Sequence, residues 1–326
     1  MRHYSRSRAA LASFLSVSLL SCAILAQEDA GKTFRADTRL VVLYASVVGR
    51  NGQLITNLNK DQFKVYENNV EQAIRKVLRE DVPVSLGLVI DNSGSMRDKR
   101  KKVESAALAL VKASNKNDEV TIINFNDEAF QDVTFTSDIK KLEEGLTRID
   151  ARGGTAMRDA ISLAIDYIRD KGKHQKKVIV VVTDGDDNAS STANTLERLV
   201  TKAHQSEVLL YMVGLLSEEN KRDARRAKNA LNTLANASGG TATFPKELDE
   251  VEKIAVDIAT EIRNQYVVSY TPSNQDLDGS FRSIRVAVNA SGSPRVRTRT
   301  GYFATPDKNP SPSGKPANPS LSEARP

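Results

Sequence analysis

A chain of 326 residues with 40% hydrophobic and 27% charged side chains has ordinary globular composition, with room for about two domains; collagen-like, fibrous and wholly disordered architectures are excluded. One cysteine, Cys22, excludes an intramolecular disulfide and a cysteine-based zinc centre, and three histidines, His3, His174 and His204, leave little for a histidine-based triad. Basic residues exceed acidic ones by six, but Arg2, Arg6 and Arg8 precede an apolar run from Ala9 to Ala26; without them the net charge is +3, and 5% aromatics with no Trp argue against nucleic-acid binding.

The first elements concern targeting. A positive start, an apolar stretch broken by Ser13, Ser16, Ser18 and Ser21, and the small residue Ala26 predict a signal peptide over 1–26 and an exported protein, periplasmic or extracellular. The run is too short for a membrane span. The string Leu19-Leu20-Ser21-Cys22 resembles a bacterial lipobox, so lipidation of Cys22 is the alternative, and the one predicted route to a membrane.

Residues 33–83 read as an N-terminal β segment, with a strand at Leu40 to Val48, a turn at Arg50-Asn51-Gly52 and a short strand at Phe63 to Tyr66. From 84 to 263 the pattern changes. Continuous apolar runs at Val84 to Ile90, Val120 to Phe125, Lys177 to Thr183 and Val208 to Leu215 have the character of strands buried on both faces. Helical repeats separate them: Val103, Ala107, Leu110 and Val111; then Met157, Ile161, Ala164, Ile165 and Ile168. Further helices are predicted near Asn220 to Ala237 and through Leu248, Val251, Ala255, Ile258 and Ile262. This alternation predicts an α/β fold with a doubly wound, mostly parallel sheet. Residues 264–304 return to short strands at Tyr266 to Tyr270, Ser283 to Val288 and Val296 to Thr300, with a hairpin turn expected at Asp278-Gly279. Neither flank is long enough for its own core, so the two are expected to pair into one small β domain around the α/β insertion. Residues 305–326 hold six of the ten prolines and read as a disordered tail.

The polar residues that matter follow two of these strands. The first α/β strand runs into Asp91-Asn92-Ser93-Gly94-Ser95-Met96; Thr155 follows Gly153-Gly154 just before a helix; Asp184 follows the strand ending at Thr183. In doubly wound sheets ligands bind at the carboxyl ends of the strands, so Asp91, Ser93, Ser95, Thr155 and Asp184 should meet there. An all-oxygen set with few carboxylates suits a hard divalent cation, Mg²⁺ first, then Mn²⁺ or Ca²⁺.

These five residues resemble the metal-ion-dependent adhesion site of the von Willebrand factor type A family: an Asp-x-Ser-x-Ser motif, a distant Thr and a distant Asp, in that order. The resemblance implies a Rossmann-like domain that binds proteins through a cation. Hydroxyls carry no charge, and in that family the carboxylates act partly through bound waters, so the resemblance implies a cation that keeps much of its positive charge and an open position, which a partner's Asp or Glu completes. The flanks, among them Asp61-Gln62-Phe63, Tyr66-Glu67-Asn68, Tyr270-Thr271-Pro272 and Gly301-Tyr302-Phe303, are similar to the exported VWFA-related proteins described chiefly from acidobacteria. That group has no common activity, so it implies architecture and export without a ligand or an oligomeric state.

Other readings are weaker. A haloacid-dehalogenase-type, Mg²⁺-dependent hydrolase needs a second Asp where Ser93 stands, and no histidine lies near a nucleophilic serine, so no enzyme is expected. An EF-hand at Asp184 fails at Ala189 and Thr195. Asp186 and Asp187 are instead expected to give the site a negative rim, and the basic run Arg97 to Lys102 to form a solvated helix start. An envelope scaffold with a purely structural metal is the remaining alternative; partner binding that survives EDTA would distinguish it.

Overall fold

The computed structural model describes residues 39–147, 151–217 and 219–306. The expected signal peptide, Cys22 and nearly all of the Pro-rich tail lie outside the described residues. Among those residues no helix is long and apolar enough to cross a membrane.

The chain opens with β1 (Val41–Val48), β2 (Phe63–Glu67), β3 (Val70–Gln72) and β4 (Ile74–Arg79). The central unit follows: β5 (Val84–Asp91), α1 (Arg100–Ala113), β6 (Glu119–Phe125), β7 (Ala129–Thr136), α2 (Ile139–Thr147), α3 (Met157–Lys171), β8 (Lys176–Thr183), α4 (Leu196–Ser206), β9 (Leu209–Gly214), α5 (Lys221–Ser238), β10 (Ala242–Thr243) and α6 (Val251–Arg263). It closes with β11 (Tyr266–Tyr270), β12 (Phe281–Val288), β13 (Arg295–Arg297) and β14 (Gly301–Phe303).

The central sheet has the order β10-β9-β8-β5-β6-β7. Its strands are parallel except β7, which runs antiparallel along the edge beside β6. All eight residues of β5 are buried, as expected of a strand covered on both faces. Residues of opposite parity serve opposite layers. Leu86, Leu88 and Ile90 meet Val103, Leu110 and Ile258 on the face carrying α1, α2 and α6. Val89, Ile179 and Val181 meet Ile161, Ile165 and Leu231 on the face carrying α3, α4 and α5. Each fully buried aliphatic side chain contributes about 1.5–3 kcal/mol, so this three-layer core needs no ligand to form.

The flanking strands form two four-stranded sheets, β13-β1-β11-β4 and β14-β12-β2-β3. N-terminal and C-terminal strands pair directly, β1 with β11 and β2 with β12, and both sheets share a core of Leu43, Ala45, Val65, Val268, Tyr270 and Val286. The expected hairpin at Asp278-Gly279 is corrected. A turn exists, with Gly279 at φ +73, but β11 and β12 belong to different sheets, so it joins the layers. A run of polar residues with one Gly signals a reversal but not which partner the next strand finds.

Candidate functional site: an oxygen-lined crevice at the sheet's carboxyl edge

The chain leaves β5 for β6 on one side and reaches β8 on the other, so the space between β5 and β8 is a topological switch point. The two strands run in register to Ile90 opposite Val182. The residues that follow, Asp91 to Ser95 and Asp184 onward, therefore overhang one crevice.

Hydrogen bonds order this loop from the core outward. The Asp91 carboxylate accepts from the Ser93 backbone N–H at 2.8 Å and from the Thr183 hydroxyl at 2.6 Å. Ser93 Oγ lies 3.2 Å from Ser95 Oγ, and Ser95 Oγ donates to Asp184 Oδ1 at 2.9 Å. Asp91, Ser93 and Asp184 are buried whereas Ser95 is exposed, so the hydrogen-bonded chain that starts at the sheet edge reaches solvent at Ser95.

Thr155 arrives on a neighbouring loop laced to the motif through the backbone. Gly94 N–H donates to Gly153 O at 3.1 Å and Arg152 N–H to Asn92 O at 2.9 Å. Gly153 has φ +79, and a Cβ there would sit 2.2 Å from Asp127 Oδ2, so any larger residue would strain the backbone and displace the Asp127 carboxylate. Behind Thr155, Asn188 closes the loop: its Oδ1 accepts from Thr155 N–H at 2.9 Å and its N–H donates to Thr155 O at 3.1 Å. The structure thus joins Asp91, Ser93, Ser95 and Asp184 in one hydrogen-bonded chain and seats buried Thr155 on the loop bonded to it.

Several supporting residues escaped the sequence reading. Thr183 belongs to an apolar strand yet holds Asp91; Asn92 donates to Asn124 Oδ1 at 2.7 Å, pinning the motif to β6. Asn188 carries no signal beyond its place four residues after Asp184. Removing its side chain in Asn188→Ala should cost about 1 kcal/mol, read by urea denaturation, while Asn188→Asp keeps the acceptor and should lose less.

The electrostatics correct two expectations. The rim is not left negative: Asp187 accepts from Arg158 N–H at 2.7 Å and from its guanidinium at 2.9 Å, and Asp186 pairs with Arg226 at 2.8 Å. Nor is the basic run wholly solvated. Lys99 is 5% exposed, and its ammonium donates to Asp184 Oδ2 at 2.7 Å. The reason is helical phase: Lys99 lies four residues before buried Val103, on the inward stripe of α1. Among the described residues, the Asp91 carboxylate is bonded by no ammonium or guanidinium. Burial pushes its carboxyl up to about 6, against the hydrogen bonds from Thr183 and Ser93 that favour the charged form.

Among the described residues, no cluster of three or more His, Cys, Asp or Glu side chains is placed to hold a metal. A cation in the crevice would depend on hydroxyls added to Asp91 and Asp184. That donor set is all oxygen, which fits a hard divalent ion.

Residues 86–186 match the sequence profile of the von Willebrand factor type A domain. An uncharacterized protein of Synechocystis sp. is 26% identical over 184 residues, covering 54% of this chain and 43% of its own length. Integrin alpha-11 of Mus musculus is 30% identical over 110 residues, covering 32% of this chain and 9% of its own. The chain thus spans less than half the length of either relative. A solved von Willebrand factor type A structure from Catenulispora acidiphila is similar at 13% identity and a TM-score of 0.49, covering 82% of this chain and 75% of that one.

Proposed function

We propose that this chain, whose residues 86–186 match the von Willebrand factor type A domain, is an exported, metal-dependent binding module rather than an enzyme. The observation that carries the reading is the hydrogen-bonded chain from Asp91 through Ser93 and Ser95 to Asp184, which reaches solvent at Ser95 beside the switch point.

In this reading Ser93, Ser95 and Thr155 offer hydroxyl ligands while Asp91 and Asp184 supply the negative charge. When bound, the divalent cation, Mg²⁺ or Mn²⁺, supplies a positive, incompletely shared position that a partner's Asp or Glu carboxylate can reach. The chain's own part is to hold rotamers in place: Thr183 fixes Asp91, Asn188 fixes the backbone of Thr155, and the Gly94–Gly153 contact sets the spacing of the two loops. The nearest histidines serve elsewhere. His174 contacts Asn117 O at 3.1 Å and His204 contacts Thr300 Oγ1 at 3.0 Å, so neither is placed as a general base for the crevice.

Calorimetry with Mg²⁺ and Mn²⁺, followed by capture of envelope proteins with and without EDTA, tests the reading. Saturable cation binding and EDTA-sensitive capture of a partner are expected, with loss of capture when the partner's acidic residue is changed to its amide. Capture indifferent to EDTA would favour the scaffold reading instead. Export is tested separately by mass spectrometry of the native protein, expected to begin near Gln27 or at a lipidated Cys22.

A further inference from the structure

We propose that Lys99 is an internal cation of this crevice: it neutralises Asp184 when no divalent ion is present and must give up Asp184 Oδ2 when one binds. The inference rests on the metal-site reading above but concerns a residue that reading does not use.

The geometry is specific. Asp184 is buried with both oxygens engaged, Oδ1 by the Ser95 hydroxyl at 2.9 Å and Oδ2 by the Lys99 ammonium at 2.7 Å. The side chains of that ion pair are 6% and 0% exposed, so water contributes little to screening either charge. Lys99 is fixed by its own backbone, its N–H donating to Met96 O at 3.0 Å and its carbonyl accepting from Val103 N–H at 3.2 Å. The ammonium is therefore delivered to the crevice by the start of α1, at the end of a flexible four-carbon side chain.

Charge counting gives the consequence. Asp91, Asp184 and Lys99 sum to one negative charge without a divalent ion and to one positive charge with it. Lys99 thus lowers the affinity for the cation while making the loaded site more attractive to a carboxylate. It also lessens the repulsion between the two acidic ligands when no divalent ion is bound, because Asp184 already has a partner. The crevice becomes an exchangeable site that loads and unloads with cation concentration while the fold persists.

Mn²⁺ calorimetry and thermal denaturation of the full exported chain, wild type against Lys99→Met, test this. The variant is expected to bind Mn²⁺ about tenfold more tightly or better, to melt lower than wild type in EDTA, and to show the larger rise in melting temperature on adding Mn²⁺. Binding by the variant alone would be the extreme form of the same result. Wild-type binding with an unimproved variant would overturn the role of Lys99 and leave the metal site standing; absence of binding in both would overturn both. If Lys99→Met does not fold in EDTA, its refolding in Mn²⁺ supports the proposal. If it folds under neither condition, ¹⁵N NMR of the wild-type Lys99 ammonium during a Mg²⁺ titration decides. A signal that moves supports displacement from Asp184, and one that stays fixed while Mg²⁺ binds refutes it.

Discussion

Asp91→Asn should stabilise the cation-free protein at neutral pH and at the same time abolish its response to divalent ions. Burial raises the Asp91 carboxyl from 3.8 to about 6, so between those values the folded chain binds a proton that the unfolded chain has released. The stability that goes with the protonated form is fully present below pH 3.8 and lost as pH rises through 6. Above that, a buried charge remains, at a cost of about 2–3 kcal/mol. Asparagine removes the charge and keeps both contacts: its Oδ1 can accept from Ser93 N–H and its Nδ2 can donate to Thr183 Oγ1. In EDTA at pH 7.5 the variant should melt higher by about 5 °C, and the gap should close towards pH 4. Adding Mn²⁺ should raise the wild type alone. A variant that melts lower in EDTA, or that still responds to Mn²⁺, would remove Asp91 from the role assigned to it. Such a trade is expected where a carboxylate is kept buried for a ligand rather than for the fold.

What the sequence reveals of this protein depends on whether a residue's role follows from its element or from its neighbours. β5, β6, β8 and β9 are legible because a strand buried on both faces must be apolar throughout, and α1, α3 and α6 because one face repeats with helical period. Asp91 and Asp184 stand out because a charge ends each apolar run. β7 was not legible: the order Ala-Phe-Gln-Asp-Val-Thr-Phe-Thr alternates imperfectly, as an edge strand with one wet side permits. β4, with Arg75, Lys76 and Arg79 among its six residues, is hidden by the charges that protect its edge. Lys99 is the instructive miss. In a run of five basic residues within six positions it looks solvated, and only its phase relative to Val103, together with the approach of Asp184 from 85 residues away, turns it inward.

The other large effect lies where the two parts of the fold meet. Glu261 near the end of α6 accepts from Ser46 of β1 at 2.8 Å, from Tyr211 of β9 at 3.2 Å and from Arg297 of β13 at 2.5 Å, so one buried carboxylate ties the central unit to both flanks. Beside it, the buried ammonium of Lys176 donates to Ile262 O and lies 5.1 Å from the centre of the Tyr44 ring. Burial drives the Lys176 ammonium from 10.5 down to about 7, although the charges of Asp81, Asp118 and Glu261 pull the other way. The folded state therefore releases this proton first, and stability should rise with pH from 7 until the unfolded lysine also titrates near 10.5. Between pH 7 and pH 9 the gain attributable to Lys176 is about 2 kcal/mol. In Lys176→Met that gain disappears, since methionine fills the same space without a proton. The variant should also be the more stable protein at pH 7, by about 2–3 kcal/mol after the lost bond to Ile262 O is allowed for. Urea denaturation of both proteins at pH 7, 8 and 9 reads the effect as converging stabilities. Two parallel profiles would mean that Lys176 stays charged in the fold across this range. The junction around α6 would then have to hold a full ammonium, compensated first by Asp81, then by Asp118 and Glu261.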